Sequence, residues 1–350
     1  MITTSQFEPA WWLMNGHAQT VYRTLTNRLQ APIDSYERLE LPDGDFIDLA
    51  WAVNGLSHHT PLVVLLHGLG GGVNSAYVAG LLLAFNQAGY RGVLMHLRGA
   101  SHEPNRKPRA YHSGDTIDFS YLLETLDNRE PNTKKAVVGI SLGGNILLKW
   151  LGQTGSQSLI HAAVAVSVPF QLHSVTKRIN QGFSRLYQAS LLRGLRDAFL
   201  KKIELVNTQF PFSKQTLLSM KTLRDFDRLL TAPLHGFPSV DEYYQQSSSR
   251  QYLKGIATPT LIIHALDDPF MYPESVPHEQ ELSGDVTLEL SQRGGHVGFI
   301  GGKIPGQPNY WLEERIPIYF KKYLRSFSSI GNDLSIYHHF DVHDVCKRGA

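Results

Sequence analysis

The stretch VVGISLGGN, residues 137–145, contains the pattern Gly-x-Ser-x-Gly centred on Ser141. An apolar run precedes the pattern and the helix-like segment NILLKWLGQ follows it, which is typical of a sharp turn between a buried strand and a helix. The serine backbone is strained at such a turn, so its neighbours must lack bulk, and Gly139, Gly143 and Gly144 meet that demand. The pattern predicts a nucleophilic serine. A glycine-rich structural turn is the alternative, because the pentapeptide also occurs by chance.

A nucleophilic serine needs a histidine to take its proton and an acid to orient that histidine. At this kind of turn the expected chain order is Ser, acid, His. The segment LIIHALDDPF supplies Asp267 and Asp268 at the end of an apolar run, and SQRGGHVGF supplies His296 in a glycine-rich loop. We predict Asp268 as the acid, since it precedes the turn residue Pro269, with Asp267 as the alternative. His296 is the predicted base; its alternative is a loop histidine bonded to the backbone.

Acyl transfer also requires hydrogen-bond donors for the developing oxyanion. The backbone N–H of Leu142, at the start of the predicted helix, is one candidate. The second should come from the glycine loop after VVLLHGLGGG, where we predict the N–H of Leu69, with Gly70 as the alternative. His67 in the same loop is interpreted as a structural brace and not as a second base.

Continuous apolar runs alternate with helical periods along the chain, which favours a parallel sheet covered on both faces. The predicted strands are 61–67, 92–97, 136–140, 162–168 and 260–266. The segments YERLEL and FIDLAWAV flank Asp43-Gly44 and predict an antiparallel hairpin before residue 55, with the second strand half-buried.

Two helices between these strands show apolar residues at three- and four-residue spacing. They are marked by Val78, Leu81, Leu82 and Phe85, and by Phe119, Leu122, Leu123 and Leu126. Asn74 and Ser75 are the expected N-caps of the first helix, and Asp115 of the second.

A long segment of about 80 residues, 170–250, interrupts the alternation of strands and helices. It is too long for a connecting loop and contains helix-like stretches, so it is interpreted as a helical cap inserted into the core. The predicted core comprises residues 1–169 and 251–328, and residues 329–350 are interpreted as a C-terminal tail.

Composition excludes several classes of function. With 33 basic and 31 acidic residues the chain has no charge excess that would favour a nucleic-acid partner. The only cysteine, Cys346, rules out an internal disulfide and favours a reducing cytoplasm. No apolar run reaches the length of a membrane span, and no signal peptide is recognisable. HGLGGG lacks the Gly-Lys-Ser/Thr of a phosphate loop, so no cofactor is expected.

No metal site is expected either. The tail segment HHFDVH, with His338, His339 and His343, is a weak alternative, because the spacing of metal-dependent proteases appears nowhere in the chain. Arg98, in HLRGAS, is interpreted as a residue that pins its loop, with contact to a substrate as the alternative.

The ordered motifs WWLMNGHAQT, LPDGDFIDLAW, HGLGGG, GISLGGN, HALDDPF and GGHVGF resemble the YheT-like group of α/β-hydrolases, related to eukaryotic lipid-acting α/β-hydrolase-domain proteins. The resemblance spans residues 10 to about 325. It implies an α/β-hydrolase fold with a mostly parallel sheet and a cap, a triad falling on Ser141, Asp268 and His296, and hydrolysis of carboxylic esters. Acylglycerols and other short- to medium-chain acyl esters are the implied substrates. HLRGAS departs from the family pattern, because alanine stands where a further glycine or cysteine is expected after Arg-Gly.

The expected protein is thus a serine hydrolase acting on a small-molecule acyl ester without a cofactor. One rival hypothesis is a catalytically silent protein with the same fold that acts as a binding module. A second rival keeps the triad but cleaves amides or transfers the acyl group to an alcohol. The sequence indicates neither the physiological substrate nor the oligomeric state.

Overall fold

The computed structural model describes residues 1–26, 28–205, 210 and 212–324. Nine strands in this part of the chain form one sheet: β1 (Ile2–Thr4), β2 (Ser35–Glu40), β3 (Phe46–Ala52), β4 (Leu62–Leu66), β5 (Arg91–Met95), β6 (Lys135–Ile140), β7 (Ala162–Val166), β8 (Thr260–Ala265) and β9 (Val286–Ser291). Their order across the sheet is β1-β9-β8-β7-β6-β4-β5-β3-β2. Within the group β4 to β9, every pair of neighbouring strands is parallel, as predicted from the continuous apolar runs. A separate antiparallel pair is formed by β10 (Ile300–Ile304) and β11 (Gln307–Tyr310).

The predicted N-terminal hairpin is confirmed. Strands β2 and β3 are antiparallel, with Leu39 opposite Ile47, and β3 also pairs with β5. The prediction that β3 is half-buried is wrong, because Ala50 and Ala52, on the face expected to be solvated, are fully buried. The pairing of β3 with strands on both sides explains the difference: it is an inner strand with packing on both faces.

Helices occupy both faces of the sheet, as predicted. Their bounds in chain order are α1 (Gly16–Thr26), α2 (Val78–Gln87), α3 (Ile117–Arg129), α4 (Leu142–Thr154), α5 (Leu172–Ile179), α6 (Ser184–Leu205), α7 (Lys214–Ser219), α8 (Leu223–Phe226), α9 (Ala232–Leu234), α10 (Val240–Ser247) and α11 (Trp311–Leu324). One core cluster joins the sheet to α3 and α4, and another joins its opposite face to α2 and α11.

The expected helix caps are wrong. Tyr77 and Thr116 occupy the N-cap positions of α2 and α3, and neither side chain makes a capping hydrogen bond. Ser75 instead accepts the Gly72 N–H, and the Asp115 carboxylate pairs with Arg109 at 2.8 Å. These polar side chains serve loop contacts that the local sequence does not reveal.

Helices α5 to α10 follow one another between β7 and β8, over residues 172–247. Leu192, Leu195 and Phe199 of α6 pack against Phe226 and other apolar residues of this segment, so the inserted helices have a core of their own. The division into core and cap at residues 170 and 250 stays a prediction. The predicted tail, 329–350, and the end of the predicted core, 325–328, lie outside the described residues.

Among the described residues, none of the helices combines the length and the apolar character needed to cross a bilayer.

Candidate active site

Ser141 occupies the turn between β6 and α4 with φ 53° and ψ −116°, a backbone conformation that residues with a side chain rarely adopt. Its N–H donates to Val166 O on the neighbouring strand β7 at 2.8 Å, which holds the strained residue in place. A Cβ at Gly139 would lie 2.5 Å from Gly143 O, and one at Gly143 would lie 2.5 Å from Leu66 O. The glycines of the motif are therefore required by space at this turn.

The structure brings the three predicted side chains together. His296 Nε2 lies 2.9 Å from Ser141 Oγ, and His296 Nδ1 lies 2.8 Å from Asp268 Oδ2. Because a carboxylate only accepts, Nδ1 carries the hydrogen and Nε2 is free to accept from the serine hydroxyl. The side chain of Asp268 is 1% exposed and that of His296 is 11% exposed. The base can thus be reached from one side, and its acid is shielded.

Three neighbours fix the orientation of the His296 ring and its loop. Phe270 stacks on the imidazole with ring centroids 4.1 Å apart and an interplanar angle of 11°. Thr20 Oγ1, on α1, accepts the His296 N–H at 2.9 Å. Ser167 Oγ accepts the next backbone N–H, that of Val297, at 3.0 Å. The histidine is held by the core sheet, by α1 and by the loop that carries the acid.

The two adjacent aspartates have different partners. Asp268 contacts His296 and also accepts the Phe270 N–H at 2.8 Å through Oδ1. Asp267 Oδ1 accepts the Gly295 N–H at 2.8 Å, so it supports the backbone of the histidine loop. Burial raises the pKa of Asp267 above its usual value. The geometry favours Asp268 as the partner of His296, whereas Asp267 holds the backbone of the histidine loop.

His67 braces the glycine loop after β4. Its Nδ1–H donates to Gly68 O at 2.8 Å, and its Nε2 accepts the Leu97 N–H at 3.1 Å. Burial lowers the pKa of His67 to about 4, so the ring is neutral near pH 7. With both nitrogens engaged by backbone groups, the predicted role as a brace is confirmed.

Backbone donors of the loop are almost all engaged within the described structure. Tyr77 Oη accepts the Gly68 N–H at 2.9 Å, and Tyr111 Oη accepts the Gly70 N–H at 2.8 Å. Further along, the N–H groups of residues 71, 72 and 73 bond to Gly68 O, Ser75 Oγ and His96 Nε2. Leu69 lies between the two tyrosine-held glycines, and its N–H has no partner among the described residues. The same holds for the N–H of Leu142, next to Ser141.

These tyrosines and Phe270 are site residues that the sequence reasoning missed. Tyr77 and Tyr111 lie 9 and 41 positions from the glycines they hold. Neither belongs to a recognisable motif, so no local signal could have identified them. Thr20 belongs to the WWLMNGHAQT stretch, one of the motifs that carry the family resemblance. The motif draws attention to this residue but does not predict its contact with His296.

A cavity of about 900 Å³ opens above Ser141 and His296. One wall is formed by the loop of Leu69, and the other by the inserted helices α5, α6 and α8. Its apolar lining from these helices includes Ile179, Leu191, Leu195, Phe199, Leu223 and Phe226. The cavity is thus largely apolar and reaches the reactive hydroxyl.

Among the residues that the structure describes, Arg98 contacts none of Ser141, Asp268 and His296. Its guanidinium bonds both oxygens of Asp118 at 2.7 and 2.6 Å and Asp43 at 2.6 Å, so the interpretation as a loop pin is confirmed. Over the residues that the structure describes, there is no group of three or more His, Cys, Asp or Glu side chains arranged to hold a metal ion. The tail segment HHFDVH lies outside them.

Comparison with known proteins agrees with this architecture. Residues 61–303 match the sequence model of the family described as alpha/beta hydrolase fold. YheT of Escherichia coli (strain K12) is 42% identical over 327 residues, which cover 93% of this chain and 96% of YheT. The chain belongs to the α/β-hydrolase family and, within it, to the YheT-like proteins.

More distant relatives carry names that refer to lipids. The monoacylglycerol lipase of Saccharomyces cerevisiae (strain ATCC 204508 / S288c) is 32% identical over 246 residues, covering 68% of this chain and 55% of that protein. Phospholipase ABHD3 of Homo sapiens is 27% identical over 349 residues, covering 95% and 82%. A solved structure of a soluble variant of monoglyceride lipase from S. cerevisiae superposes with a TM-score of 0.54 at 15% identity, over 86% of this chain and 99% of that one. At that identity the superposition supports the fold alone.

Proposed function

We propose that this protein hydrolyses carboxylic esters through an acyl-enzyme formed on Ser141. The observation that carries the proposal is the hydrogen-bonded line from Ser141 Oγ through His296 to Asp268. A serine hydroxyl is a weak nucleophile near neutral pH, and a base within hydrogen-bonding distance overcomes that weakness. The buried Asp268 supplies the orientation that the base requires.

In the proposed reaction, Ser141 Oγ attacks the ester carbonyl carbon while its proton passes to His296 Nε2. The carbonyl oxygen becomes an oxyanion, and Asp268 stabilises the imidazolium through Nδ1–H. His296 then gives the proton to the leaving alcohol as the ester C–O bond breaks. His296 then takes a proton from water, whose oxygen attacks the acyl carbon. The bond from that carbon to Ser141 Oγ breaks, Oγ takes the proton back from His296 Nε2, and the carboxylic acid is released.

The N–H groups of Leu69 and Leu142 are the proposed donors to the oxyanion. Support comes from the hydrogen bonds of their neighbours: Gly70, the alternative donor, gives its N–H to Tyr111, whereas neither proposed donor has a partner among the described residues. Donors positioned before the substrate arrives stabilise the transition state without further reorganisation.

The proposed substrates are acylglycerols or other short- to medium-chain acyl esters. A cavity of about 900 Å³ is large enough for a ligand of this size, and its apolar lining suits an acyl chain. Residues 170–250, taken as a cap, supply the apolar residues of α5, α6 and α8 to that lining, so the cap would influence acyl-chain preference. The names of the yeast and human relatives, a monoacylglycerol lipase and a phospholipase, support a lipid ester. A cytoplasmic location is part of the proposal, since a chain with one cysteine needs no oxidising compartment.

The first experiment combines active-site labelling with steady-state kinetics. The wild-type protein should react with a fluorophosphonate probe and hydrolyse a p-nitrophenyl ester, and Ser141→Ala should lose the label and lose turnover by several orders of magnitude. Ser219→Ala is the matched control, because its exposed hydroxyl on α7 bonds only to Thr216 O in the described structure. Labelling that persists in Ser141→Ala would refute the assignment.

The same assay separates the rival functions. Absence of both labelling and turnover in the wild-type protein would favour a silent binding module. Faster cleavage of a matched anilide than of the ester would indicate an amidase, and ester products in the presence of an added alcohol would indicate acyl transfer.

A further inference from the structure

One helical segment divides the cavity wall into an apolar and a polar part. Leu223 and Phe226 of α8, with Leu230 in the π-helical turn that follows, face the cavity as an apolar row. Asp227 and Thr231 reach the cavity from the same segment, each one position after a member of that row. Among the residues that the structure describes, Asp227 is the one carboxylate on the cavity wall. An acyl chain along the apolar row therefore passes beside a partly buried acid.

Asp227 keeps unused hydrogen-bonding capacity toward the cavity. Tyr244 Oη donates to its Oδ2 at 2.8 Å, and the Thr231 hydroxyl also donates to the carboxylate. The neighbouring Arg224 directs its guanidinium to Asp241, at 2.9 and 3.0 Å. A carboxylate can accept about four hydrogen bonds, so two positions remain. Burial raises the pKa of Asp227 to about 6, which leaves the group mainly ionised at pH 7.5.

His112 offers a free donor on the same part of the wall. Its Nδ1 accepts the Gly114 N–H at 3.2 Å, so the ring hydrogen is on Nε2. Within the described chain Nε2 has no partner, and the residue lines the cavity. Burial and nearby cationic groups lower the pKa of His112 well below its usual value, which keeps the ring neutral.

His235 lies between His112 and the helical segment that carries Asp227. The rings of His112 and His235 lie 4.5 Å apart between centroids, and His235 Nδ1 lies 2.7 Å from Thr231 O, one turn after Asp227. Asp227 and His112 thus both line the cavity on the side of His235, as an acceptor and a neutral donor beside the apolar row of α8.

We infer that Asp227 and His112 form a binding subsite for a neutral, hydroxyl-bearing group of the substrate, such as the polyol part of an ester. This inference rests on the proposed function and extends it by naming the residues that select the alcohol. A hydroxyl donates to the Asp227 carboxylate and accepts from His112 Nε2–H, so two adjacent hydroxyls satisfy both. A cationic group would leave the His112 donor unused, and a plain alkyl group would leave both groups unpaired.

The test measures binding in the Ser141→Ala background, so that its outcome does not depend on hydrolysis. The probes are 1-O-hexylglycerol, methyl hexyl ether and the hexyl ether of choline, which share one chain and differ in the polar group. Titration calorimetry should give a dissociation constant at least about tenfold lower for the glyceryl ether than for the methyl ether. Equal affinities for these two ethers, or tighter binding of the choline ether, would overturn the inference even if the proposed esterase activity holds.

Two further variants assign the discrimination to residues. Asp227→Asn and His112→Phe should each reduce the preference for the glyceryl ether severalfold and leave the affinity for methyl hexyl ether nearly unchanged. His112→Phe preserves the packing of an aromatic ring, so it keeps the test valid if the aspartate variant does not fold. Glu242→Gln removes an exposed carboxylate of the same inserted segment outside the cavity, where it bonds to Gln246, and should retain the full preference. Equal weakening of both ethers by the cavity variants would show that these residues only shape the pocket.

Discussion

Replacing Asp227 by asparagine should stabilise the folded protein at pH 8 and leave its stability unchanged at pH 4. The carboxyl has a pKa of about 6 in the folded state, against 3.8 as the usual value. The folded form therefore holds a proton between these pH values that the unfolded form has lost, and stability falls as pH rises through this window. A difference of roughly 2 pKa units corresponds to about 3 kcal/mol. This is an upper limit for the gain, because the asparagine side chain still needs partners in the cavity wall.

The assay is denaturant unfolding of wild type and Asp227→Asn at one-unit steps from pH 4 to pH 8. Other titrating groups are common to both proteins, so the difference in unfolding free energy isolates Asp227. That difference should be near zero at pH 4, rise through pH 5 and 6, and reach a plateau above pH 7. Glu242→Gln, which removes an exposed carboxylate, should differ from wild type by less than about 1 kcal/mol at every pH.

A difference that does not vary with pH, or an aspartate variant that is less stable at pH 8, would refute the reasoning. Either result would mean that the Asp227 charge is compensated in the folded protein. The predicted outcome has a functional counterpart, since the same substitution should weaken binding of a hydroxylated ligand. A substitution that stabilises the folded protein but weakens ligand binding is expected at a residue that is retained for function.

Three further outcomes follow from the site geometry. Asp268→Asn should lower kcat on a p-nitrophenyl ester by about 10³- to 10⁴-fold, because the imidazole loses its anionic partner, whereas Asp267→Asn should lower it far less; equal losses would contradict the assignment of the acid. Tyr111→Phe should lower kcat about five- to tenfold with little change in KM, because the Gly70 N–H loses its acceptor and the loop of the proposed oxyanion donor loosens; a change confined to KM would point to substrate contact instead. Gly143→Ala should destabilise the protein by about 1–3 kcal/mol in denaturant unfolding, because its Cβ would lie 2.5 Å from Leu66 O, and wild-type stability would refute the steric argument.

The parts of the fold that could be predicted are those encoded by short-range patterns. Apolar runs predicted the parallel strands because these strands are buried on both faces, and glycine spacing predicted the turn at Ser141 because only glycine fits there. The order of Ser141, Asp268 and His296 along the chain follows from the topology of the sheet, so the candidate triad could be selected without coordinates. Contacts that depend on tertiary position, such as Tyr77 with Gly68, left no comparable pattern.

Helix α1 shows the physical reason for one omission. The side chains it buries include Gln19 and Arg23, not an apolar row, so hydrophobic periodicity does not detect the helix. Gln19 donates to Leu13 O and Ile300 O and accepts the Ile300 N–H, and Arg23 donates to Ala76 O and to the carboxylate of Glu313. Hydrogen bonds and an ion pair, not apolar contacts, hold the buried face of α1 against the rest of the protein. The helix in turn carries Thr20, which holds the backbone of His296.

In the glycine loop after β4, the backbone N–H groups around Leu69 are hydrogen-bonded, while that of Leu69 has no partner among the described residues. Tyr77 and Tyr111 take the N–H groups on either side of Leu69, and loop acceptors take those of the residues that follow. An unpaired N–H shielded from water costs about 1–3 kcal/mol, so a fold keeps such a group only where a ligand or solvent can reach it. In the proposed mechanism that ligand is the oxyanion, whose charge exceeds that of the ester carbonyl in the ground state. The Leu69 N–H would then bond more strongly as the transition state forms, and the hydroxyls that hold its neighbours would contribute to rate without touching the substrate.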